Sequence, residues 1–123
     1  MKINTLIADD SRIFRKKIVE ILQKYPVIQI LGEAATGDEA ILKAGELIPD
    51  LIIMDVRMPD VDGIVATGII KKNHPEVRII IASVHDLNEY RMAAEKNGAD
   101  GYLLKRNVYN MLYPKIADLF HLS

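Results

Sequence analysis

The chain has 123 residues, half of them hydrophobic and about a quarter charged, which suits one domain, residues 1–123, with a sizeable core. Sixteen Lys and Arg against 17 Asp and Glu leave a net charge of −1, so bulk charge points to neither nucleic acid nor an anionic membrane surface. The lack of cysteine excludes disulfides and thiolate metal sites, and no apolar run approaches the length of a membrane span.

The first strand is expected at INTLIA, residues 3–8. Starting so early it leaves no room for a signal peptide, and a soluble cytoplasmic protein is expected. The strand runs straight into Asp9 and Asp10, and a helix follows over Ser11 to Tyr25. There Phe14, Ile18, Ile21, Leu22 and Tyr25 recur at three and four, one apolar stripe facing inward. VIQILGEA (27–34) predicts the second strand. Gly37 to Ile48 predicts the second helix, on the stripe of Ala40, Ile41, Ala44, Leu47 and Ile48. DLIIMD (50–55), a helix over Asp62 to Asn73, VRIIIAS (77–83), a helix over Leu87 to Asn97, GYLLK (101–105) and a helix over Val108 to Leu122 complete the series. Pro26, Pro49 and Pro75 each follow a helix, and Gly98 suits a helix C-terminus.

Five strands alternating with five helices predict an α/β fold whose parallel sheet is covered on both faces. LIIM and IIIA are apolar on both faces, as central parallel strands are. The flavodoxin-like order 2-1-3-4-5, a (βα)5 three-layer sandwich, puts the most apolar strands in the middle. Ligands of such sheets bind beyond the carboxyl ends of the strands. Those ends deliver Asp9 and Asp10, then Asp55, Ser83 and Lys105.

Three clustered carboxylates are costly. Two unit charges roughly 5 Å apart at an effective dielectric of ~20 repel by about 3 kcal/mol, so the acids must protonate, splay apart or bind a cation. Oxygen donors without thiolate or imidazole suit Mg²⁺ or Mn²⁺. A lone aspartate here would simply cap the first helix, as Ser11 also could; three acids with a lysine on one rim favour a metal site. His85 lacks a histidine or cysteine partner, so a transition metal is not expected. His74 and His121 fall at helix ends, where they suit the C-terminal dipole.

The pair Asp9–Asp10, the block DVRMPDVDG from Asp55 to Gly63, Ser83 after the fourth strand and GYLLK ending in Lys105 together resemble the receiver domains of two-component response regulators. The resemblance covers essentially the whole chain and also touches receivers joined to helix-turn-helix DNA-binding output domains. It implies that Asp55 accepts a phosphoryl group, becoming an aspartyl phosphate, from a sensor histidine kinase or phosphotransfer protein. It implies that Asp10, Asp55 and the backbone carbonyl of Arg57 hold Mg²⁺, with Asp9 acting directly or through water. Lys105 would pair with the phosphoryl group or, before transfer, with Asp55, and Ser83 would donate its hydroxyl to it. Ser83 would then move and Tyr102 rotate inward, changing the face of helix 4, strand 5 and helix 5, a possible homodimer surface. The domain itself would touch neither nucleic acid nor membrane.

Some residues depart from the family pattern. Val84 stands where a smaller alanine is usual, so a branched side chain is expected to narrow the phosphoryl pocket. Arg57 and His85, bulky and close to the site, are expected to screen Asp55 from water and lengthen the phosphoryl lifetime. Arg106 follows Lys105 where many relatives have proline, so a trans bond is expected. Pro114 is expected to kink the last helix or reset its start, and Tyr109, Leu112, Tyr113 and Ile116 give that helix a broad apolar surface. Met58, Pro59, Asp62 and Gly63 read as shaping the loop after Asp55. A flavodoxin-type cofactor binder would need phosphate donors where ADDSRIF has acids. A haloacid-dehalogenase-type hydrolase would need an aspartate where Arg57 stands. The serious alternative is a receiver-fold interaction module that works without phosphorylation.

Overall fold

The computed structural model describes residues 1–122. The elements are β1 (Ile3–Ala8), α1 (Arg12–Leu22), β2 (Ile28–Ala34), α2 (Gly37–Leu47), β3 (Leu51–Met54), α3 (Gly63–Asn73), β4 (Arg78–Ser83), α4 (Asn88–Lys96), β5 (Gly101–Leu104) and α5 (Val108–Leu119), with a single 3₁₀ turn over Lys105–Asn107. All strand pairs are parallel and the order is β2-β1-β3-β4-β5, as the apolar runs predict.

Strand alternation splits the core into two layers. Leu6, Ala8, Ile52, Met54, Ile79 and Ile81 meet α2, α3 and α4 through residues such as Ala44, Ile70 and Ala94. Ile3, Ile7, Leu51, Ile53, Ile80 and Ala82 meet α1 and α5 through Ile18, Leu22, Leu112 and Ile116. The central strands are therefore buried on both sides; β1 and β3 end level, and β4 runs two residues further at the same edge of the sheet.

Helix ends depart from the expected bounds in physical ways. Ser11 is the cap of α1, its Oγ accepting from Phe14 N at 3.2 Å. That helix stops at Leu22 rather than Tyr25, because Tyr25 N turns back to Leu22 O. Gly98 takes φ +95° after α4, a conformation that favours glycine. The last helix ends at Leu119, not Leu122, and continues through Pro114 with neither a break nor a new start. Pro114 and Asn110, whose carbonyl Pro114 leaves without its helical donor, are both exposed, so water can serve that carbonyl. Leu112 and Ile116 are fully buried, and Tyr113 stacks on Tyr25 at 3.6 Å. The apolar surface expected on this helix is thus mostly core, leaving Tyr109 and Met111 outside.

Candidate functional site

Register brings the acids together. Ala8 pairs with Met54 across β1 and β3, so the residues that follow, Asp9 and Asp55, emerge side by side, and Asp55 N donates to Ala8 O at 2.8 Å. Asp9 and Asp55 are buried while Asp10 is exposed, and one carboxylate oxygen from each of the three lies within 4.8 Å of the others. Ser83 and Leu104 pair across β4 and β5, which sets Lys105, the next residue, over the same edge.

Lys105 Nζ lies 2.6 Å from Asp9 Oδ2 and 3.5 Å from Asp55 Oδ1, with the Phe14 ring 4.3 Å beneath it. The expected partner before transfer is Asp55; the shorter contact is to Asp9, the more deeply buried acid. Asp9 Oδ1 accepts from Ser11 N at 2.8 Å, while Oδ2, though close to the ammonium, has no partner in hydrogen-bonding alignment. One cation against three acids leaves a net negative site. Burial first, then the charges of Asp9 and Asp10, push the Asp55 carboxyl up from 3.8 to about 6, opposed by Lys105 and by a hydrogen bond from the Val56 amide. Three clustered carboxylates, two of them buried, supply the hard oxygen donors that a divalent cation takes.

The loop after Asp55 is held by backbone chemistry. Asp62 caps α3, its Oδ1 accepting from Ile64 N and Val65 N. Gly63 N donates to Val56 O at 2.7 Å, and a Cβ on Gly63 would collide with the Asp55 carbonyl. This supports the loop-shaping reading of Asp62 and Gly63.

The rim residues are Arg57, Val84 and His85, which with Asp10, Asp55 and Lys105 line an open pocket of about 420 Å³. Val84 is 64% exposed, so it stands at the mouth and does not fill the pocket as its size suggests. Ser83 Oγ is buried and accepts from His85 N at 3.0 Å. Tyr102 is half-buried, its hydroxyl donating to His85 O at 2.8 Å and its ring under the Arg91 guanidinium at 4.6 Å. No cis peptide bond occurs among the described residues, so Lys105–Arg106 is trans as expected.

Two site neighbours escape sequence reasoning. Tyr90 accepts from Arg57 Nη1 at 3.1 Å and meets the His85 ring edge-on at 5.6 Å. It also lines a cleft of about 630 Å³ between the acceptor loop and α4. Arg15 donates to the Asp9 carbonyl at 2.6 Å. Neither belongs to a motif, and only the packing of helices onto the strand ends brings them in.

A family model described as the response regulator receiver domain matches residues 5–117. The chain belongs to that family. It is 41% identical over 107 residues to the response regulator protein VraR of Staphylococcus epidermidis, covering 85% of this chain and 50% of that protein. It is 36% identical over 104 residues to the transcriptional regulatory protein DegU of Brevibacillus brevis, covering 85% and 44%. The crystal structure of the response regulator domain of Thermotoga maritima CheB superposes with a TM-score of 0.90 at 30% identity, over 100% of this chain and 99% of that one. The receiver domain thus spans about half the length of the curated relatives it matches. No helix among the described residues is long and apolar enough to cross a membrane.

Proposed function

We propose that this receiver domain is a phosphoryl-accepting switch in a two-component relay, with Asp55 as the acceptor. The observation that carries this reading is a buried carboxylate at a strand end, grouped with Asp9, Asp10 and Lys105. An Asp55 oxygen would attack the phosphorus of a phosphohistidine on a sensor kinase or phosphotransfer protein. The P–N bond breaks, its electron pair staying on the ring nitrogen, a P–O bond forms, and the imidazole, already protonated on its other nitrogen, leaves neutral. With its pKa raised to about 6, Asp55 is mostly ionised at neutral pH and so able to attack.

Asp10, Asp55 and the Arg57 carbonyl would hold Mg²⁺, or Mn²⁺, with Asp9 as a direct or water-mediated ligand; when bound, the ion neutralises charge on the acids and on the phosphoryl oxygens. Lys105 would transfer its contact to the phosphoryl group, and the Ser83 hydroxyl would donate to a phosphoryl oxygen. The Ser83 Oγ also holds the His85 amide, whose carbonyl holds Tyr102. Movement of Ser83 would therefore reach Tyr102 through one residue and alter the α4–β5–α5 face, where homodimerisation is the reading we adopt. Arg57, Val84 and His85 ring the pocket, and Arg57 and His85 would slow water attack.

This reading places residues 1–123 in the cytoplasm as one receiver domain. Joined to a DNA-binding output domain, as the name of DegU suggests for that relative, it would regulate transcription. The test is intact mass after incubation with Mg²⁺ and a small-molecule phosphodonor, beside Asp55→Ala. A metal-dependent gain of one phosphoryl group, absent in the variant, is expected. No gain in folded, Mg²⁺-binding protein would instead mark a phosphorylation-independent interaction module.

A further inference from the structure

The Asp9–Asp10 peptide is clamped from a direction that the acid site does not explain. Arg15 Nη1 donates to the Asp9 carbonyl at 2.6 Å, and Arg15 Nε donates to Glu33 Oε1 at 2.8 Å. Arg15 is largely buried, with 15% of its side chain exposed. Asp9 N meanwhile donates to Ala34 O at 2.9 Å, so both ends of the Asp9 backbone are fixed. Because the peptide is planar, holding this carbonyl sets where the chain enters Asp10, whose own carboxylate is exposed.

Glu33 reaches Arg15 only because β2 carries a bulge. Ile28 and Ile30 face the α1 side of the sheet, and strict alternation would send Glu33 to the opposite side. The register with β1 skips Leu31: Thr5 pairs with Ile30 and Leu6 with Gly32. Glu33 therefore pairs with Ile7, a residue of the α1 side, while Gly32 lies against Leu6 and Leu47 on the α2 side. Bulges often re-aim a side chain near a functional site, and this one turns a carboxylate toward the α1 arginine.

We propose that Arg15 and Glu33, aligned by the β2 bulge, are positioning residues of the acid site. Glu33 orients the Arg15 fork, Arg15 holds the Asp9 carbonyl, and the held peptide places Asp10 for the divalent cation. The proposal rests on the metal-dependent reading above. It makes a prediction opposite in sign to simple electrostatics, since removing a cation near three acids should tighten divalent-cation binding.

The test is calorimetric titration of the whole chain with Mg²⁺ alone, with thermal unfolding measured on the same samples. Arg15→Met is expected to weaken Mg²⁺ affinity about ten-fold, in the range known for partners that orient metal ligands. Glu33→Ala should weaken it in the wild type and add nothing in the Arg15→Met background, because it acts through Arg15. Unchanged or tighter binding in folded Arg15→Met overturns the proposal, even if stability falls. If Arg15→Met does not fold, Arg15→Lys decides, since a point ammonium keeps the charge but not the planar fork. About three-fold weaker binding is then expected, and equal affinity overturns the proposal. A wild type that takes up no Mg²⁺ instead overturns the metal-dependent reading itself.

Discussion

Lys105 Nζ is 2.6 Å from Asp9 and 3.5 Å from Asp55, so one ammonium is shared between a buried acid and the candidate acceptor. The sharing is unequal. Asp55 keeps only part of the neutralisation, and with burial and two neighbouring acids its carboxyl is raised to about 6. A group so placed is ionised near neutral pH at a cost, and that cost is relieved by a proton, a divalent cation or esterification.

The pH dependence of stability follows from this. Between 3.8 and about 6 the folded protein holds a proton on Asp55 that the unfolded chain has lost. Stability from this group is therefore present at low pH and falls as pH rises through that window, by about 3 kcal/mol in all. Urea denaturation without metal should show Asp55→Asn more stable than wild type at pH 8, with the gap closing toward pH 4. A gap independent of pH would contradict this assignment.

Replacing Lys105 by Met removes the cation that pairs with the Asp9 and Asp55 carboxylates. Without metal at neutral pH the variant should lose about 3 kcal/mol, the low end for a broken buried pair because Asp55 can take up a proton. Millimolar Mg²⁺ should recover part of that loss by binding only the folded form. Parallel unfolding curves with and without Mg²⁺ would check both statements.

Gly63→Ala should be among the most damaging small substitutions, since its Cβ would meet the Asp55 carbonyl and nothing flexible can yield. A loss of about 3 kcal/mol is expected, with weakened Mg²⁺ binding because the acceptor strand end must shift. Gly32→Ala provides the contrast. There the new Cβ finds Leu47 Cδ1 at 3.6 Å, an ordinary contact, and a change under about 1 kcal/mol is expected.

At the pocket mouth, Val84→Ala should leave the phosphorylation rate by a small phosphodonor within about two-fold, because Val84 is exposed and fills nothing. Arg57→Ala and His85→Ala should each shorten the aspartyl-phosphate lifetime. A wild-type lifetime of seconds, unchanged in both variants, would count against their screening role.

The sequence alone determined the strands, their order and the residues at their ends. Each of those depends on local pattern: β-branched runs bounded by Gly, Pro or acids, and apolar stripes at three and four. The doublet Asp9–Asp10, Asp55, Ser83 and Lys105 were legible because a parallel sheet turns chain position into place on an edge. What tertiary structure decided was the partner of each group. Lys105 lies closer to Asp9 than to Asp55, a difference that no periodicity encodes. Val84 faces out because the chain turns after Ser83. Pro114 is tolerated at an exposed position, where Asn110, whose carbonyl it orphans, is exposed too. The Glu33–Arg15 contact arises from a one-residue skip in pairing that reverses a strand's parity, and such a skip is set by the neighbouring strand, not by the residues that carry it.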